Sequence, residues 1–289
     1  MRALHQPDIM EQKICIIVAG PTAVGKTDFA IELALQHKTA ILSADSRQCY
    51  KELGVGVAKP DATQLATVPH YFINSHSIHE DVTAATFETY ALQVVESLFQ
   101  SHDTVIVCGG TGLYIRAFTD GLDAIPAIPE SVRTEVMHQY ETKGMIWLQE
   151  TLQQKDPLFA REGEMQNPQR MMRALEVVLA TGASIKSFQR KEKTVRPFRI
   201  EYQVLEKPRD ILYDRINRRV DQMMEQGLLE EARHLYQWKH LNALQTVGYQ
   251  ELFDHLEGKY SLKEAVDKIK QNTRHYAKRQ MTWFRNLKI

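Results

Sequence analysis

The sequence is poor in the features that mark secreted and membrane proteins. Its 289 residues include three cysteines, Cys15, Cys49 and Cys108, which form neither a C-x-x-C pair nor an even disulfide framework. This pattern is typical of a reducing compartment, and we expect a cytoplasmic protein. No apolar run approaches the roughly 20 residues that a membrane helix needs, and residues 1–8 lack the apolar core of a signal peptide. The sequence therefore predicts no membrane partner.

The chain also lacks an excess of charge of either sign. Lys plus Arg and Asp plus Glu both number 36, so the formal net charge is zero. This balance argues against nucleic-acid binding over the whole surface, but it leaves room for a local basic face. Internal repeats and low-complexity tracts are missing, and His76 and His79 have no third potential ligand nearby in the sequence. A zinc site at these histidines is therefore not expected.

What the sequence does have is a phosphate-loop motif between a strand signal and a helix signal. Residues 20–27 read GPTAVGKT and match G-x-x-x-x-G-K-[ST], for which a chance match in such a chain is about one in a hundred. Glycines let backbone amides converge on phosphate oxygens at a helix N-terminus. Lys26 would reach the terminal phosphate, and the Thr27 hydroxyl would hold Mg²⁺. The predicted diphosphate-binding residues of this loop are Gly20, Pro21, Thr22, Ala23, Val24, Gly25, Lys26 and Thr27.

Strand and helix signals alternate through most of the chain. Strands are predicted at 13–19, 39–43, 70–73, 104–108 and 199–205, and helices at 27–37, 83–101, 210–226, 228–238 and 261–286. From a proline-punctuated linker at 123–129 to about residue 190 the pattern is helical throughout. The predicted fold class is α/β: a parallel, P-loop NTPase-like sheet flanked by helices, with an inserted small all-helical domain. We place the core domain at 1–124 and 196–289 and the insertion at 125–195.

Two of the predicted strands end in turns that should lie beside the phosphate loop. Asp45 follows the second strand, and GGTGLY at 109–114 follows the fourth; ligands of parallel sheets bind at these carboxyl ends. By position alone, Asp45 is as consistent with a helix N-cap as with a functional carboxylate. A typical phosphate-loop ATPase has an Asp for Mg²⁺ where this strand ends in Cys-Gly-Gly. That departure argues against an ordinary NTPase.

The last predicted helix carries a local basic face. Residues 268–288 contain seven Lys or Arg and no acid, with the aromatic residues Tyr276, Trp283 and Phe284 interleaved. This pattern is typical of a surface for single-stranded nucleic acid or an RNA loop, and the alternative is a terminal helix whose aromatic residues belong to the core.

Two pairs of arginines share helix faces elsewhere in the sequence. Arg170 and Arg173, three apart in the predicted insertion, form a face that is more often simply solvated. Arg215 and Arg219 are four apart and should point the same way.

Taken together, the motifs resemble those of the bacterial tRNA dimethylallyltransferases, also called tRNA isopentenyltransferases. The matching segments are, in order, GPTAVGKT, SADSRQ, GVAKP, GGTGLY, NPQRMMRALEV, LYDRINRRVDQM, VGYQEL and TRHYAKRQMTWFR. That family transfers a dimethylallyl group from dimethylallyl diphosphate to N6 of the adenosine just 3′ of the anticodon, in tRNAs that read codons starting with U. The resemblance implies that the phosphate loop binds an organic diphosphate rather than ATP.

The resemblance also implies a role for several single residues. Asp45 matches the family's general base, Thr111 matches a Thr that contacts substrate beside the reaction centre, and Arg219 matches an Arg that contacts the diphosphate. Arg215 is a second candidate for that contact. The implied cofactor is Mg²⁺, held by Thr27, and the implied partners are dimethylallyl diphosphate and the anticodon stem-loop of tRNA. We expect a monomer, because one tRNA loop would fill the cleft.

Most of the implied tRNA contacts fall in the matched segments, and Arg133, Gln245 and Thr246 lie outside them. The resemblance also implies that the insertion lies over the anticodon loop. The implied contacts are Asp45, Ser46, Arg47, Gln48, Thr111, Arg133, Gln169, Arg170, Met171, Met172, Arg173, Gln245, Thr246, Val247, Gly248, Tyr249, Gln250, Lys278, Arg279, Gln280, Met281, Thr282, Trp283, Phe284 and Arg285. Two alternatives stay open: a small-metabolite kinase that binds ATP in the loop and uses Asp45 as its base, and a tRNA-binding protein without catalytic activity.

Overall fold

The computed structural model describes residues 13–189 and 193–287 and contains a five-stranded, entirely parallel sheet. The strand order is β3-β2-β4-β1-β5. The strands are β1 (Ile14–Ala19), β2 (Ile41–Ser43), β3 (His70–Tyr71), β4 (Thr104–Gly109) and β5 (Arg199–Val204). Because β1 pairs with β4 and β5 over its whole length, the strand that leads into the phosphate loop lies inside the sheet. The prediction of a P-loop-like α/β sheet is confirmed.

Eleven α-helices accompany the sheet in the described part of the chain. They are α1 (Lys26–Gln36), α2 (Ala62–Thr67), α3 (Ala84–Leu98), α4 (Gly112–Asp120), α5 (Glu130–Lys155), α6 (Pro157–Glu162), α7 (Pro168–Thr181), α8 (Arg209–Glu225), α9 (Leu228–Leu235), α10 (Tyr249–Leu256) and α11 (Leu262–Arg285). The five helices predicted individually appear as α1, α3, α8, α9 and α11, with ends within three residues of the prediction. Among the described residues, no helix is long and apolar enough to cross a lipid bilayer.

Local sequence explains where several elements begin and end. Thr83 and Ser261 start α3 and α11 with capping boxes, in which side chain and backbone satisfy each other's hydrogen bonds. The third strand is shorter than the predicted 70–73, because Phe72 and Asn74 adopt left-handed backbone angles, with φ of 59° and 52°, that a strand does not allow. The predicted absence of a signal peptide at 1–8 concerns residues outside the described ones.

The chain forms two compact units. One contains the residues up to Gly121 and from Thr194 onward, and the other spans Leu122–Lys193. The first holds the sheet, whose central strands carry fully buried side chains such as Ile17, Val105 and Val107. Such continuous burial is expected of a parallel sheet covered on both faces.

Among its described residues the second unit contains helices, turns and coil but no strand, and it has its own core. Leu148 and Leu152 of α5 pack with Met171 and Leu175 of α7. Helix α5 is broken at Gly144, whose φ of 74° is left-handed. Asp156 is buried between α5 and α6, where its carboxylate accepts hydrogen bonds from the Phe159 amide at 2.9 Å and from the Ser184 hydroxyl at 2.9 Å.

Candidate active site

The phosphate loop joins β1 to α1 and has the backbone of an anion cradle. Gly20 and Gly25 have φ of 147° and 109°, values that favour glycine. Steric crowding also requires glycine at position 20, because a Cβ there would lie 2.6 Å from the Leu205 carbonyl oxygen. Helix α1 begins at Lys26, so its unpaired N-terminal amides and its positive dipole end face the loop. This geometry suits a phosphate group.

Lys26 lies over the loop as the sequence predicts. Its Nζ donates to the Pro21 carbonyl oxygen at 2.8 Å. Burial lowers the pKa of the Lys26 amine to about 8, against the opposing influence of Cys108 and Asp45 and with the repulsion of Arg219. A bound anion would supply the missing counter-charge, so the site is electrostatically suited to a negatively charged ligand.

Both predicted arginines of α8 reach the same loop. Arg215 donates from Nε to the Ala23 carbonyl oxygen at 2.7 Å, and Arg219 donates from Nη1 to the Thr22 hydroxyl at 3.4 Å. Burial lowers the pKa of the Arg219 guanidinium, and the neighbouring Arg215 adds to this effect. The structure therefore gathers three cations at one loop, and Arg215 also holds the loop backbone.

Asp45 and Thr111 meet where β2 and β4 end. Oδ1 of Asp45 accepts hydrogen bonds from the amides of Arg47 at 2.9 Å and Gln48 at 3.3 Å, whereas Oδ2 has no hydrogen bond within the described part of the chain. The Thr111 hydroxyl accepts from the Ser46 amide at 3.1 Å. One Asp45 oxygen thus caps the turn at residues 46–49 and not a helix, so the N-cap interpretation was wrong in its element, whereas a functional role for the other oxygen stays a prediction.

The glycines of the second turn allow three segments to approach each other closely. A Cβ on Gly109 would lie 2.2 Å from the Ala44 carbonyl oxygen, and one on Gly112 would lie 2.4 Å from the Trp283 ring. No other residue type fits between these neighbours without displacing them. The GGTG sequence is therefore explained by packing of β2 on one side and α11 on the other.

A cavity of about 670 Å³ opens between these groups. At one end it is lined by the phosphate loop, Asp45 and the α8 arginines. Residues 54–61 also contribute to its lining, with the apolar side chains of Val55, Val57 and Pro60, which we call the apolar wall, beside the charged Lys59 and Asp61. A cavity lined by both cationic and apolar side chains is suited to a ligand that carries both an anionic and a hydrocarbon part.

The apolar wall is held by a carboxylate that sequence reasoning missed. The Glu231 carboxylate accepts hydrogen bonds from the amides of Val55 at 2.8 Å and Gly56 at 2.9 Å, and from the Tyr249 hydroxyl at 2.5 Å. Burial, together with the neighbouring Glu231 charge, raises the pKa of the Tyr249 hydroxyl well above its usual range. No local pattern in the sequence marks Glu231, because its partners lie far away along the chain.

Two further lining residues come from α11. Gln280 is buried; its Oε1 accepts from the Thr22 amide at 2.8 Å and its Nε2 donates to the Gly110 carbonyl oxygen at 2.9 Å. Tyr276, one turn earlier, also lines the cavity, with its hydroxyl close to Thr111. Burial of its hydroxyl, with the nearby Asp45 charge, raises the pKa of Tyr276 to about 12. The sequence shows that Tyr276 and Gln280 are four residues apart and so share a helix face, but it does not show that this face borders the cavity.

The predicted tRNA contacts differ widely in exposure. Those with exposed side chains are Arg133, Gln169, Arg170, Gln245, Gln250, Lys278, Arg279, Thr282 and Arg285. Those that are buried are Met171, Gly248, Tyr249, Gln280 and Phe284. The remaining ones are partly exposed: Asp45, Ser46, Arg47, Gln48, Thr111, Met172, Arg173, Thr246, Val247, Met281 and Trp283. The side chains of the buried members are not exposed for a direct contact in this structure.

The basic face of α11 divides into two halves. In the first half, Lys270 pairs with Asp221 at 2.6 Å and Arg274 donates to the Asn217 side-chain oxygen at 2.6 Å. In the second half, Lys278, Arg279 and Arg285 are exposed and have no ion pair with any described residue. Lys288 lies outside the described residues.

The aromatic residues of α11 divide as well. Phe284 is part of the main hydrophobic core and Trp283 packs against that core, as in the alternative interpretation of the helix. Tyr276 instead lines the cavity.

The arginines predicted in the helical unit are paired with acids inside that unit. Arg170 forms an ion pair with Glu164, and Arg173 pairs with Glu176 at 3.3 Å. These pairs are exposed or partly exposed and contribute little to stability.

The donor set beside the phosphate loop allows one kind of metal site. No group of three or more His, Cys, Asp or Glu side chains suited to a metal ion occurs among residues 13–189 and 193–287. Thr27 and Asp28 line the cavity, and Asp28 already accepts a hydrogen bond from Gln64 at 2.8 Å. Mg²⁺ is commonly held by one or two protein oxygens together with the phosphates of a substrate. The residues present fit that arrangement.

Fold and site together define a phosphate-loop protein of the α/β class. Comparison with known sequences identifies its family: the model described as IPP transferase matches residues 48–287. The chain belongs to this family. It is similar to tRNA dimethylallyltransferase 1 of Bacteroides fragilis, with 45% identity over 96% of this chain and 92% of that protein. It is also similar to the tRNA dimethylallyltransferase of Cytophaga hutchinsonii, with 46% identity over 94% of this chain and 90% of that one.

Solved structures agree with the sequence relatives. The tRNA isopentenylpyrophosphate transferase of Bacillus halodurans matches with a TM-score of 0.69 and 35% identity, over 96% of this chain and 88% of that chain. A eukaryotic dimethylallyltransferase acting on tRNA matches with a TM-score of 0.75 and 27% identity, over 94% of this chain and 69% of that chain. The resemblance noted in the sequence is thus confirmed.

Proposed function

We propose that this protein transfers a dimethylallyl group from dimethylallyl diphosphate to N6 of the adenosine 3′ of the anticodon, in tRNAs that read codons starting with U. Its family membership supports prenyl transfer to tRNA. The observation that carries the proposal is one cavity lined by the cationic phosphate loop, by the apolar side chains of Val55, Val57 and Pro60, and by Asp45. Family membership does not favour the small-metabolite kinase.

Departure of the diphosphate is the step that the cationic end would promote. The bond between the allylic carbon and the diphosphate oxygen breaks, and negative charge grows on the leaving group. Fixed positive groups that stabilise this charge in the transition state accelerate the reaction. Lys26, Arg215, Arg219 and the loop amides supply them. The wall formed by Val55, Val57 and Pro60 would receive the hydrocarbon part.

Mg²⁺ is part of the proposal and would arrive with the diphosphate. Thr27 is the protein ligand that the phosphate-loop pattern assigns to it. When bound, the ion would neutralise charge on the diphosphate oxygens.

Asp45 is the proposed general base. N6 of adenosine is a weak nucleophile because its lone pair is delocalised into the ring. As the new C–N bond forms, N6 must lose a proton, and the free Oδ2 of Asp45 would accept it. Thr111, anchored to Ser46 beside Asp45, would contact the substrate next to this centre.

The tRNA would bind with its anticodon stem-loop over the cavity and present the target base flipped out of the stack. Flipping an unpaired loop base costs a few kcal/mol, on the order of what stacking supplies. Lys278, Arg279 and Arg285 form the best-supported contact surface, because they are exposed and unpaired within the described chain. We expect the protein to act as a monomer in the cytoplasm. The monomer is consistent with a site that receives one tRNA loop, and sedimentation of the purified protein tests it.

The experiment that tests the proposal uses purified protein, unmodified tRNA and dimethylallyl diphosphate. Release of pyrophosphate that depends on tRNA, together with uptake of labelled prenyl group into RNA, is the expected result. A parallel incubation with ATP and small metabolites tests the kinase. ATP turnover without prenyl transfer would refute the proposal, and tRNA binding without transfer by the intact protein would favour the non-catalytic alternative.

A further inference from the structure

Gln280 occupies a position that a nucleic-acid contact would not have. It lies in the RNA-facing segment of α11, yet its side chain is only 7% exposed and points away from the exposed Lys278 and Arg279. Its amide oxygen accepts from the Thr22 amide, and its amide nitrogen donates to the Gly110 carbonyl oxygen, at 2.8 and 2.9 Å. One side chain thus joins the phosphate loop to the turn that carries Thr111.

The two bonds hold groups that would act on opposite partners of the reaction. Thr22 belongs to the loop proposed to grip the leaving diphosphate, and Thr111 follows Gly110 beside the proposed base Asp45. The distance between the phosphate loop at Thr22 and the turn at Thr111 would therefore determine where the allylic carbon lies relative to N6. A misplacement of about 1 Å between reacting groups can lower a rate about a hundredfold.

The surroundings of Gln280 leave it little freedom. A Cβ on Gly110 would lie 2.4 Å from Gln280 Nε2, so the glycine is needed for the close approach. A side chain with both a donor and an acceptor, at this length, can satisfy the amide and the carbonyl at once. The bond to the Gly110 carbonyl is buried and the bond to the Thr22 amide is partly buried, so removing both leaves two backbone groups with little access to other partners.

We propose that Gln280 is a positioning residue that sets the distance between the phosphate loop and the Thr111 turn, and that it acts on the diphosphate donor rather than on tRNA. This inference rests on the function proposed above. It separates two roles within one helix turn: Lys278 and Arg279 face RNA, whereas Gln280 holds the donor site from behind.

Two variants with matched controls test this separation. Gln280→Met keeps the length of the side chain and removes both hydrogen bonds, whereas Gln280→Glu keeps the acceptor, loses the donor and places negative charge near the diphosphate. The control is Lys278→Ala, an exposed neighbour two residues away. Affinity for inorganic pyrophosphate, affinity for tRNA, and kcat and KM for dimethylallyl diphosphate are measured for each.

We expect Gln280→Met to weaken pyrophosphate binding by about tenfold and to lower kcat, with tRNA affinity within about threefold of the wild type. Gln280→Glu should weaken pyrophosphate binding further. Lys278→Ala should show the opposite pattern, with weaker tRNA binding and unchanged pyrophosphate binding. Loss of tRNA affinity with intact pyrophosphate binding in both Gln280 variants would overturn the inference.

Hydrogen exchange gives a second readout that does not depend on activity. In the wild type the Thr22 amide should be protected without ligand, and in Gln280→Met exchange at residues 20–25 should speed up while the sheet strands stay protected. An unprotected Thr22 amide in the wild type would also overturn the inference, even if a variant failed to fold. If the wild type neither binds pyrophosphate nor transfers a prenyl group, the proposed function itself fails, which is a different outcome.

Discussion

At the scale of single residues, the two carboxylate oxygens of Asp45 have different surroundings. Oδ1 caps the turn of Arg47 and Gln48, and Oδ2 is left for a ligand. Sequence position could not decide between cap and base, because a carboxylate after a strand suits both. The geometry shows that one role does not exclude the other.

Replacing Asp45 separates these tasks. Asp45→Asn keeps a capping oxygen and loses the base, so transfer should fall by about 10² or more while the melting temperature stays close to that of the wild type. Asp45→Ala should lose the same activity and also about 1 kcal/mol of stability. Single-turnover rates and thermal melts measure both, and tRNA affinity should stay within about tenfold. Near-normal transfer by Asp45→Asn would refute the assignment of Asp45 as base.

From the lowered pKa of Lys26 we expect the affinity for dimethylallyl diphosphate to depend on pH. Burial lowers the pKa of its amine to about 8, and the protonated form is the one that attracts a diphosphate. Affinity should therefore be nearly full at pH 7 and below and fall as the pH rises through 8, by about tenfold between pH 7 and pH 9. Calorimetry with dimethylallyl diphosphate in the absence of tRNA measures this. Lys26→Met should bind weakly at every pH; equal affinity of the wild type at pH 7 and 9 would contradict the account.

At the scale of elements, Glu231 of α9 holds the segment that contains Val55. Replacing Glu231 should therefore change both the stability of the protein and its affinity for the diphosphate donor. The Glu231 carboxylate accepts three hydrogen bonds, and in Glu231→Gln one of its oxygens is replaced by an NH₂ group that would face an N–H or O–H. We expect the variant to lose about 2 kcal/mol of stability and to bind dimethylallyl diphosphate severalfold more weakly. Tyr249→Phe keeps both amide contacts and should cost less. Denaturant unfolding and donor titration measure these effects. If Glu231→Gln leaves the donor affinity unchanged, the carboxylate does not control this wall.

The elements themselves were largely predictable from sequence. The strands β1, β4 and β5 show apolar or alternating runs, and Thr83 and Ser261 mark helix starts, because these signals depend on near neighbours in the chain. The early end of β3 was not predictable, because the left-handed angles of Phe72 and Asn74 have no glycine to mark them.

The site was only partly predictable for a related reason. Lys26, Arg215 and Arg219 meet as expected, since a motif and a helical spacing specify them. The partners Glu231 and Gln280 are 175 and 258 residues from the amides of Gly56 and Thr22 that they bind, and nothing local reveals such contacts.

At the scale of the whole molecule, the zero net charge makes tRNA binding depend on local surfaces. Binding of tRNA should weaken steeply with salt because phosphate contacts release counterions. Replacing Lys278, Arg279 and Arg285 together by Ala should reduce the slope of log K against log salt by about 2, at about 0.7 per contact. Arg199→Ala, at the amino end of β5, is the matched control and should leave the slope unchanged. A triple variant with the wild-type slope would exclude this surface.

The most direct measurement of the central claim is mass analysis of the nucleosides from tRNA incubated with this protein and dimethylallyl diphosphate. We expect an adenosine, located 3′ of the anticodon, that carries a five-carbon dimethylallyl group in place of one N6 hydrogen. We also expect that the product disappears with Asp45→Asn. Unmodified adenosine at that position after full incubation with the intact protein, with tRNA bound, would contradict the account.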